Sequence, residues 1–470
     1  MKTSRTAMMA MAAWILAVPL CPGQTKQWDK SFGGSLDDAC ISVQQTADGG
    51  YILGGRSKSP IGGDLSQKRR GRDSDYWIVK TDASGAKQWD KRFGGLGSDE
   101  REDLRVVQQT TDGGYILGGT SFSQGGSLEP DEEDKTGNSW GRPDYWIVKV
   151  NAEGGKEWDH IFGTTAQDYL SSVKQTRDGG YILGGHTSGN TAGFEPYQKS
   201  EDSRGFEDYW IVKVNAEGGK EWDRCFGGDG HDRLCSVRQT SDGGYILGGS
   251  SDSGVSGERT QDSRGGLDYW IVKINASGAK EWDRRFGGSK EDSLSDLDTT
   301  PDGGFILGGT SWSKADGDKS EDSRGFEDYW IVKVDANGNK EWDRRFGGDH
   351  YDDLSSIQGT SDGGFILSGY SKSRSGGDKS EDAHRFDYWL VKLDSSGAKK
   401  WDKSLGGNDD DVLNCVRQTA DGGYLLGGSS QSGAEKDKTE SSRGGWDFWI
   451  VKLGPEAAST PPKVLTEDNL

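Results

Sequence analysis

Seven copies of one sequence unit follow one another along this chain, and they constrain its fold more than any other feature. Three series of short motifs each count seven. The Trp-Asp pairs begin at Trp28, Trp89, Trp158, Trp222, Trp282, Trp342 and Trp401. The Asp-Gly-Gly turns begin at Asp48, Asp112, Asp178, Asp242, Asp302, Asp362 and Asp421. The Asp-aromatic-Trp segments begin at Asp75, Asp144, Asp208, Asp268, Asp328, Asp387 and Asp447. Repetition at a nearly fixed period predicts an array of similar structural units rather than several unrelated domains.

Each unit contains four segments with the pattern of β-strands. In the unit 234–286, residues 235–240 and 245–249 flank an Asp-Gly-Gly turn and predict a hairpin. Residues 268–274 are apolar on both faces, which suits a strand enclosed by neighbours. Residues 280–286 alternate and place Trp282, Arg284 and Phe286 on one face. Four strands per unit is the number found in a blade of a β-propeller.

The two ends of the array indicate how it closes. The first strand, residues 27–32, has the pattern of a fourth strand, and the last, residues 447–453, has that of a third. One blade is therefore split between the chain ends, and the first strand is expected to complete it. We predict an all-β protein, a seven-bladed β-propeller with four antiparallel strands per blade, over residues 24–453, followed by a flexible tail over residues 454–470.

These motifs carry a resemblance. Every unit has the same order of motifs, with small variations: Gly-Gly, an acid, a turn, aromatic-Ile-Leu-Gly-Gly, a long loop, Asp-Tyr-Trp-Ile-Val-Lys, Trp and Phe-Gly-Gly. This order resembles the bacterial secreted β-propeller repeat family. The Gly-Gly after the second strand and the Trp on the fourth are also similar to kelch blades. The resemblance covers residues 27–453 and implies a fold and an exported protein, but no particular function.

The N-terminus has the features of a secretory signal peptide. Lys2 and Arg5 precede an apolar run over residues 7–20, and the small-residue positions at Cys21 and Gly23 fit a cleavage before Gln24. A membrane anchor is the alternative, although the run is shorter than the roughly 20 residues of a membrane span. We expect residues 1–23 to be removed and the protein to be secreted, extracellular or periplasmic, without insertion into a membrane.

Charge and cysteine content exclude several classes of partner. The net charge of −20 disfavours binding to nucleic acid or to an anionic membrane surface. Cys40, Cys225, Cys235 and Cys415 occupy different positions of the repeat, so they form no repeated disulfide or metal framework. We expect isolated thiols and a monomer; a bridge between Cys40 and Cys415 is the alternative, because their units are neighbours in a closed ring.

Function is expected on the face of the disc where the long loops between second and third strands and the links between blades emerge. Residues that vary among near-identical units are free of the blade's structural demands. Exposed aromatic side chains of this kind stack on sugar rings or anchor protein partners. The candidate ligand-binding residues are Phe122, Trp140, Tyr197, Trp312, His350 and Tyr351. The alternative is that they only fasten the long loops.

An acid also recurs before each first strand: Asp38, Glu102, Asp168, Asp232, Asp292, Asp352 and Asp411. If the first strands are innermost, these acids line one mouth of the central channel and attract a cation. The alternative, which sevenfold repetition favours, is a structural carboxylate that accepts hydrogen bonds from a turn. The spacing of Asp316, Asp318, Ser320 and Asp322 weakly resembles a calcium loop. We otherwise expect no metal and no cofactor.

No catalytic residue is predicted. The five histidines share no position in the repeat, and the chain lacks the nucleophile-elbow, metalloprotease and Cys-x-x-Cys motifs. We therefore predict a non-enzymatic binding or scaffold propeller for a glycan or protein ligand. The alternative is a carbohydrate-active hydrolase of propeller type, similar to an endoglucanase, that uses two paired carboxylates.

Overall fold

The computed structural model describes residues 24–71, 73–95, 101–123, 125, 135–141, 143–190 and 199–456. The expected signal peptide, residues 1–23, and residues 457–470 of the expected tail lie outside these ranges. The described residues form strands, turns and loops without a helix, so they contain no helix that could span a membrane.

Twenty-eight strands form seven sheets of four. The first strands are β2 (Asp38–Gln45), β6 (Glu102–Gln109), β10 (Asp168–Gln175), β14 (Asp232–Gln239), β18 (Asp292–Thr299), β22 (Asp352–Gly359) and β26 (Asp411–Gln418). The second strands are β3 (Tyr51–Ser57), β7 (Tyr115–Ser121), β11 (Tyr181–Thr187), β15 (Tyr245–Ser251), β19 (Phe305–Ser311), β23 (Phe365–Ser371) and β27 (Tyr424–Ser430). The third strands are β4 (Asp75–Thr81), β8 (Asp144–Val150), β12 (Asp208–Val214), β16 (Asp268–Ile274), β20 (Asp328–Val334), β24 (Asp387–Leu393) and β28 (Asp447–Leu453). The fourth strands are β1 (Lys26–Phe32), β5 (Lys87–Phe93), β9 (Lys156–Phe162), β13 (Lys220–Phe226), β17 (Lys280–Phe286), β21 (Lys340–Phe346) and β25 (Lys399–Leu405).

The sheets are the blades of a closed seven-bladed β-propeller. Blades 1 to 6 each consist of four consecutive strands, starting with β2–β5, and blade 7 has the order β1-β28-β27-β26. Each first strand contacts the first strands of both neighbouring blades, including β26 against β2. The first strands therefore surround the central axis, and the predicted closure by the N-terminal strand is confirmed.

Glycine pairs in the second strands let the blades approach each other closely. A Cβ on Gly54 would lie 2.8 Å from a methyl group of Val107 in the next blade. A Cβ on Gly55 would lie 1.9 Å from the carbonyl oxygen of Ala39. The register of β2 against β3 shifts opposite this pair, between Cys40 and Ser42, and the same shift recurs in every first strand. The bulge explains why the second residue of the pair is glycine in every blade. At the first position blade 6 has Ser368.

The hydrophobic core is divided among the seven seams between blades. The third strands are wholly buried, as their two-sided apolar pattern predicts. At six seams the tyrosine of one third strand donates its hydroxyl to the carbonyl of the next blade's tryptophan, as Tyr76 does to Trp146 at 3.2 Å. At the seam between blades 7 and 1, Phe448 stands in the tyrosine's place and only packs on Trp77.

The aspartate of each Trp-Asp pair fastens the fourth strand to the rest of its blade. Its carboxylate accepts a hydrogen bond of 3.0–3.2 Å from the buried indole of the third strand. In blade 7 this bond joins the two ends of the chain, because Asp29 of β1 accepts from Trp449 of β28. Closure of the ring therefore rests on a side-chain bond as well as on the strand ladder.

Candidate binding site

One face of the disc, the loop face, collects the loops between second and third strands and the links between blades. The backbone shows how these segments meet: Trp312 after β19 donates to the carbonyl of Glu291, in the link before β18. Phe326 before β20 donates to the carbonyl of His350, in the link that enters blade 6. Variable residues from two adjacent blades are thereby brought together at each seam.

At the seam between blades 5 and 6 these residues form an aromatic cluster. The rings of Phe326 and Tyr351 stack with centroids 4.5 Å apart and planes 6° from parallel. Trp312 approaches both edge-on, at 6.4 Å and 6.2 Å, and His350 lies 5.1 Å from Phe326. Phe326 is 45% exposed and Trp312 37% exposed. A group of exposed large rings held by one another is unusual for a solvated surface and is typical of a binding site.

The cluster borders a groove that continues across blades 6 and 7. The groove has a volume of about 470 Å³. We call it the aromatic groove; its lining residues are Glu327, Tyr351, Asp353, Tyr370, Phe386, Asp410, Val412 and Trp446. Tyr370 and Phe386 meet edge to face at 5.4 Å. Rings on both sides and carboxylates between them provide flat apolar surfaces together with hydrogen-bond acceptors.

Two carboxyl groups face each other in the aromatic groove. Asp353 accepts a 3.1 Å hydrogen bond from the Thr310 hydroxyl and is also hydrogen-bonded to Tyr370 and Glu327. Glu327 is only 6% exposed. Burial first, and then the charge of Asp353, raise the pKa of Glu327 to about 7. Two carboxyl groups in contact cannot both ionise freely, so the pair shares a proton near neutral pH.

The structure brings together half of the residues predicted as a ligand site. Trp312, His350 and Tyr351 form the aromatic cluster. Phe122 lies in blade 2, where it contacts Tyr169 and Arg101, and Trp140 is exposed on the same connection, between β7 and β8. Tyr197 lies outside the described residues. The cluster and the groove also contain residues that were not predicted from the sequence: Phe326, Glu327, Asp353, Tyr370, Phe386, Asp410 and Trp446.

The seven repeated acids lie inside the seams. Each is the first residue of a first strand and is buried. In six blades one carboxylate oxygen accepts a hydrogen bond from the backbone N–H four residues earlier, as Asp38 does from Gly34 at 2.7 Å. The same oxygen of Asp38 accepts from the Ser59 hydroxyl at 2.8 Å. None of the seven lines the central cavity, so the structure places them away from the channel mouth.

At each seam a second buried acid, the first residue of a third strand, lies near the repeated acid. A buried cation accompanies the two acids. In blades 2 to 7 the loop supplies it: Lys135, Lys199, Arg259, Lys319, Lys379 and Lys438. Blade 1 has Leu65 at this position of the repeat. There Arg92 of β5 provides the charge, with Nε 3.2 Å from Asp75 and Nη1 2.7 Å from the carbonyl of Ser59. Blades 4 and 5 also have an arginine at this fourth-strand position, Arg285 and Arg345, in addition to the loop cation. Blade 1 lacks the loop cation and retains its buried charge through Arg92 alone.

The carboxylates whose spacing weakly resembles a calcium-binding loop form hydrogen bonds and an ion pair with other residues of the protein. Asp316 accepts from the backbone of Ser289 at 2.8 Å, Asp318 pairs with Arg264 at 2.9 Å, and Asp322 accepts from the backbone of Ala315 at 2.8 Å. Within the described part of the chain, no group of three or more His, Cys, Asp or Glu side chains is placed to hold a metal ion. Binding of calcium here stays a prediction.

The side chains of Cys40, Cys225, Cys235 and Cys415 are free thiols, and no disulfide joins Cys40 to Cys415. Cys40 and Cys415 are buried in the same apolar cluster at the seam between blades 7 and 1. Burial raises the pKa of the Cys40 thiol well above its usual range. These thiols therefore act as small apolar side chains.

A central cavity of about 1210 Å³ follows the axis and is lined mainly by first strands. Its wall carries Lys174, Arg238 and Arg417, at a position where other blades have glutamine or aspartate. Arg238 pairs with Asp296 at 2.9 Å. Burial first, and then Arg238 and Arg417, lower the pKa of Lys174 to about 7. The channel is therefore asymmetric in charge although the blades are alike in fold.

Fold and groove together define a seven-bladed β-propeller with a candidate binding groove on its loop face. No known family model matches the chain, so membership of the secreted repeat family stays an expectation. Regulatory protein FlaEY of Caulobacter vibrioides is 24% identical over 248 residues, which are 49% of this chain and 26% of that protein. This chain thus aligns with about a quarter of that curated relative.

Solved structures with similar folds are distant in sequence. Puromycin hydrolase is 12% identical, with a TM-score of 0.45, covering 84% of this chain and 51% of that one. The periplasmic gluconolactonase PpgL of Pseudomonas aeruginosa is 12% identical, with a TM-score of 0.41, covering 79% and 87%. Likeness at this level transfers no activity from either protein.

Proposed function

We propose that this chain is an exported, non-enzymatic binding propeller that holds a glycan in the aromatic groove. The observation that carries the proposal is the stacked, solvent-exposed cluster of Trp312, Phe326 and Tyr351 at the edge of a groove with carboxylates. Sugar rings offer C–H faces that stack on aromatic rings, and hydroxyls that donate to carboxylates. Export is supported by the charged and apolar segments of residues 1–23. A protein ligand is the other outcome to test.

The geometry of the acid pair favours binding over hydrolysis. Glycoside hydrolases separate their two carboxyl groups by about 5–9.5 Å, to leave room for the sugar carbon and water. Glu327 and Asp353 are instead hydrogen-bonded to each other. We expect no release of reducing sugar from a panel of polysaccharides. Release that is abolished by Glu327→Gln would contradict a non-enzymatic role.

A glycan array and a pull-down with the purified protein test the proposal. The Trp312→Ala/Phe326→Ala variant removes two exposed rings without opening the core, and it should weaken binding at least tenfold. Phe206→Ala/Val255→Ala is the matched control, because it removes similar exposed apolar surface from the loop face of blades 3 and 4. Equal binding by wild type and groove variant, or no ligand from either screen, would refute a binding role for the groove.

A further inference from the structure

Two seams of the propeller have the same arrangement on the loop face, a phenylalanine stacked on a ring from the next blade. At the seam between blades 3 and 4, Phe206 stacks on His231 with centroids 4.9 Å apart and planes 18° from parallel. At the seam between blades 5 and 6, Phe326 stacks on Tyr351 in the same way. Phe206 and Phe326 occupy the same position of the repeat, two residues before the third strand.

The glutamate that follows each phenylalanine faces an arginine at one seam and an aspartate at the other. Glu207 forms a salt bridge with Arg233, the second residue of β14. Glu327 is its counterpart, but the second residue of β22 is Asp353. The fold can therefore hold a glutamate and an arginine at this place, and the groove holds two acids instead.

The missing cation leaves Glu327 incompletely bonded. Its Oε2 atom is buried and has no hydrogen-bond partner. Within the described ranges no lysine, arginine or histidine forms an ion pair with Glu327 or Asp353. Two buried carboxyl groups that must share a proton beside aromatic rings cost stability, and such an arrangement is typical of a site that a ligand completes.

We propose that the ligand supplies the cation: an amino sugar whose protonated amine binds both Glu327 and Asp353 and displaces the proton that they share, as the guanidinium of Arg233 binds Glu207 at the other seam. This inference rests on the proposed function and names its ligand class. An ammonium group has three donors, which suit the free Oε2 of Glu327 and the carboxylate of Asp353. The sugar rings stack on Phe386, Trp446 and the Phe326–Tyr351 pair. Charge complementarity also fits the protein's net charge of −20.

Titration calorimetry near pH 6 with a glucosamine tetramer and an N-acetylglucosamine tetramer tests this, because acetylation removes only the charge and its donors. We expect at least tenfold tighter binding of the glucosamine tetramer. Asp353→Arg copies the Glu207–Arg233 seam and fills the cation's place, so it should abolish the preference. Asp353→Asn, a smaller change, should reduce it. Ser293→Arg places an arginine at the same strand position of blade 5, outside the groove, and should leave the preference intact.

Equal affinity for the two tetramers, or an unchanged preference in Asp353→Arg, would overturn the amine inference. A neutral glycan that is bound by the wild type and lost in Trp312→Ala/Phe326→Ala would refute the amine while sustaining the proposed function. Tighter binding of a lysine-rich peptide than of the glucosamine tetramer would refute the sugar and indicate a protein ligand.

Discussion

Removal of the Asp29 carboxylate should loosen the closure of the propeller selectively. Asp29 is buried, and it accepts hydrogen bonds from the Trp449 indole at 3.1 Å and the Thr439 backbone at 2.9 Å. Asp29→Ala leaves both donors without a partner. Each buried donor without a partner costs about 1–3 kcal/mol, so the variant should lose about 2–6 kcal/mol of unfolding free energy.

Asp283→Ala is the matched control. Asp283 accepts from Trp270 and Thr260 at 3.1 Å each, so the local cost should be similar. β17, however, is joined to the chain at both ends, whereas β1 is the first strand of the described propeller. Loss of the bond should therefore let β1 detach locally before the blades unfold.

Thermal denaturation and limited trypsin digestion, with fragments identified by mass spectrometry, distinguish the two variants. Both should melt at lower temperature, but only Asp29→Ala should be cut rapidly at Lys26 and Lys30 under native conditions. The reasoning is refuted if β1 resists trypsin in Asp29→Ala, or if Asp283→Ala is cut equally fast in β17.

Three further results are expected. Phe448→Tyr should restore the missing hydroxyl bond to the Trp77 carbonyl and raise the unfolding free energy by about 0.5–1.5 kcal/mol in denaturant titrations, whereas a loss would show that the seam lacks room. Arg92→Ser should lower the unfolding free energy by about 3–5 kcal/mol, because it leaves buried acids unpaired, and adding Leu65→Lys should recover most of this loss. No recovery would refute the view that Arg92 takes the place of the loop cation. The melting temperature should be higher near pH 5 than near pH 8. Burial raises the pKa of seam carboxyls to about 6–7, so the folded protein holds protons that the unfolded chain releases as pH rises. Below about pH 4 the melting temperature should fall again, because the unfolded chain then binds protons that the turn aspartates, with pKa values near 2 in the folded protein, do not. The raised group includes Asp75, Asp144, Asp268, Asp328, Asp387 and Asp447, and the lowered group includes Asp48, Asp112, Asp242 and Asp302. A melting temperature that rises steadily from pH 5 to pH 8 would contradict this assignment.

The fold was predictable because local signals repeat in register. Turn glycines, apolar third strands and Trp-Asp pairs each specify one element, and seven copies remove the ambiguity of any single one. The start of the first strand was less clear: in blade 4 the pattern predicts residue 235, but β14 begins at Asp232. The bulge between Leu234 and Ser236 interrupts the alternation that marks a strand.

The candidate site was predictable only in part. Trp312, His350 and Tyr351 stand out as single-copy aromatic residues, and the fold brings them together. Glu327 and Asp353 look like ordinary surface acids in a chain with 77 acidic residues. A comparison of equivalent positions among the copies finds them, because Asp353 stands where another blade has arginine. Their contact depends on packing between blades, which no local pattern contains.

Hydrogen–deuterium exchange of the purified protein with and without a bound glycan tests the binding groove most directly. Protection should appear in peptides that contain Trp312, Phe326–Glu327, His350–Asp353 and Trp446, and not in blades 1 to 3. Protection confined to the Asp-Gly-Gly turns of the opposite face, or to the first strands around the central cavity, would contradict a binding site in the aromatic groove.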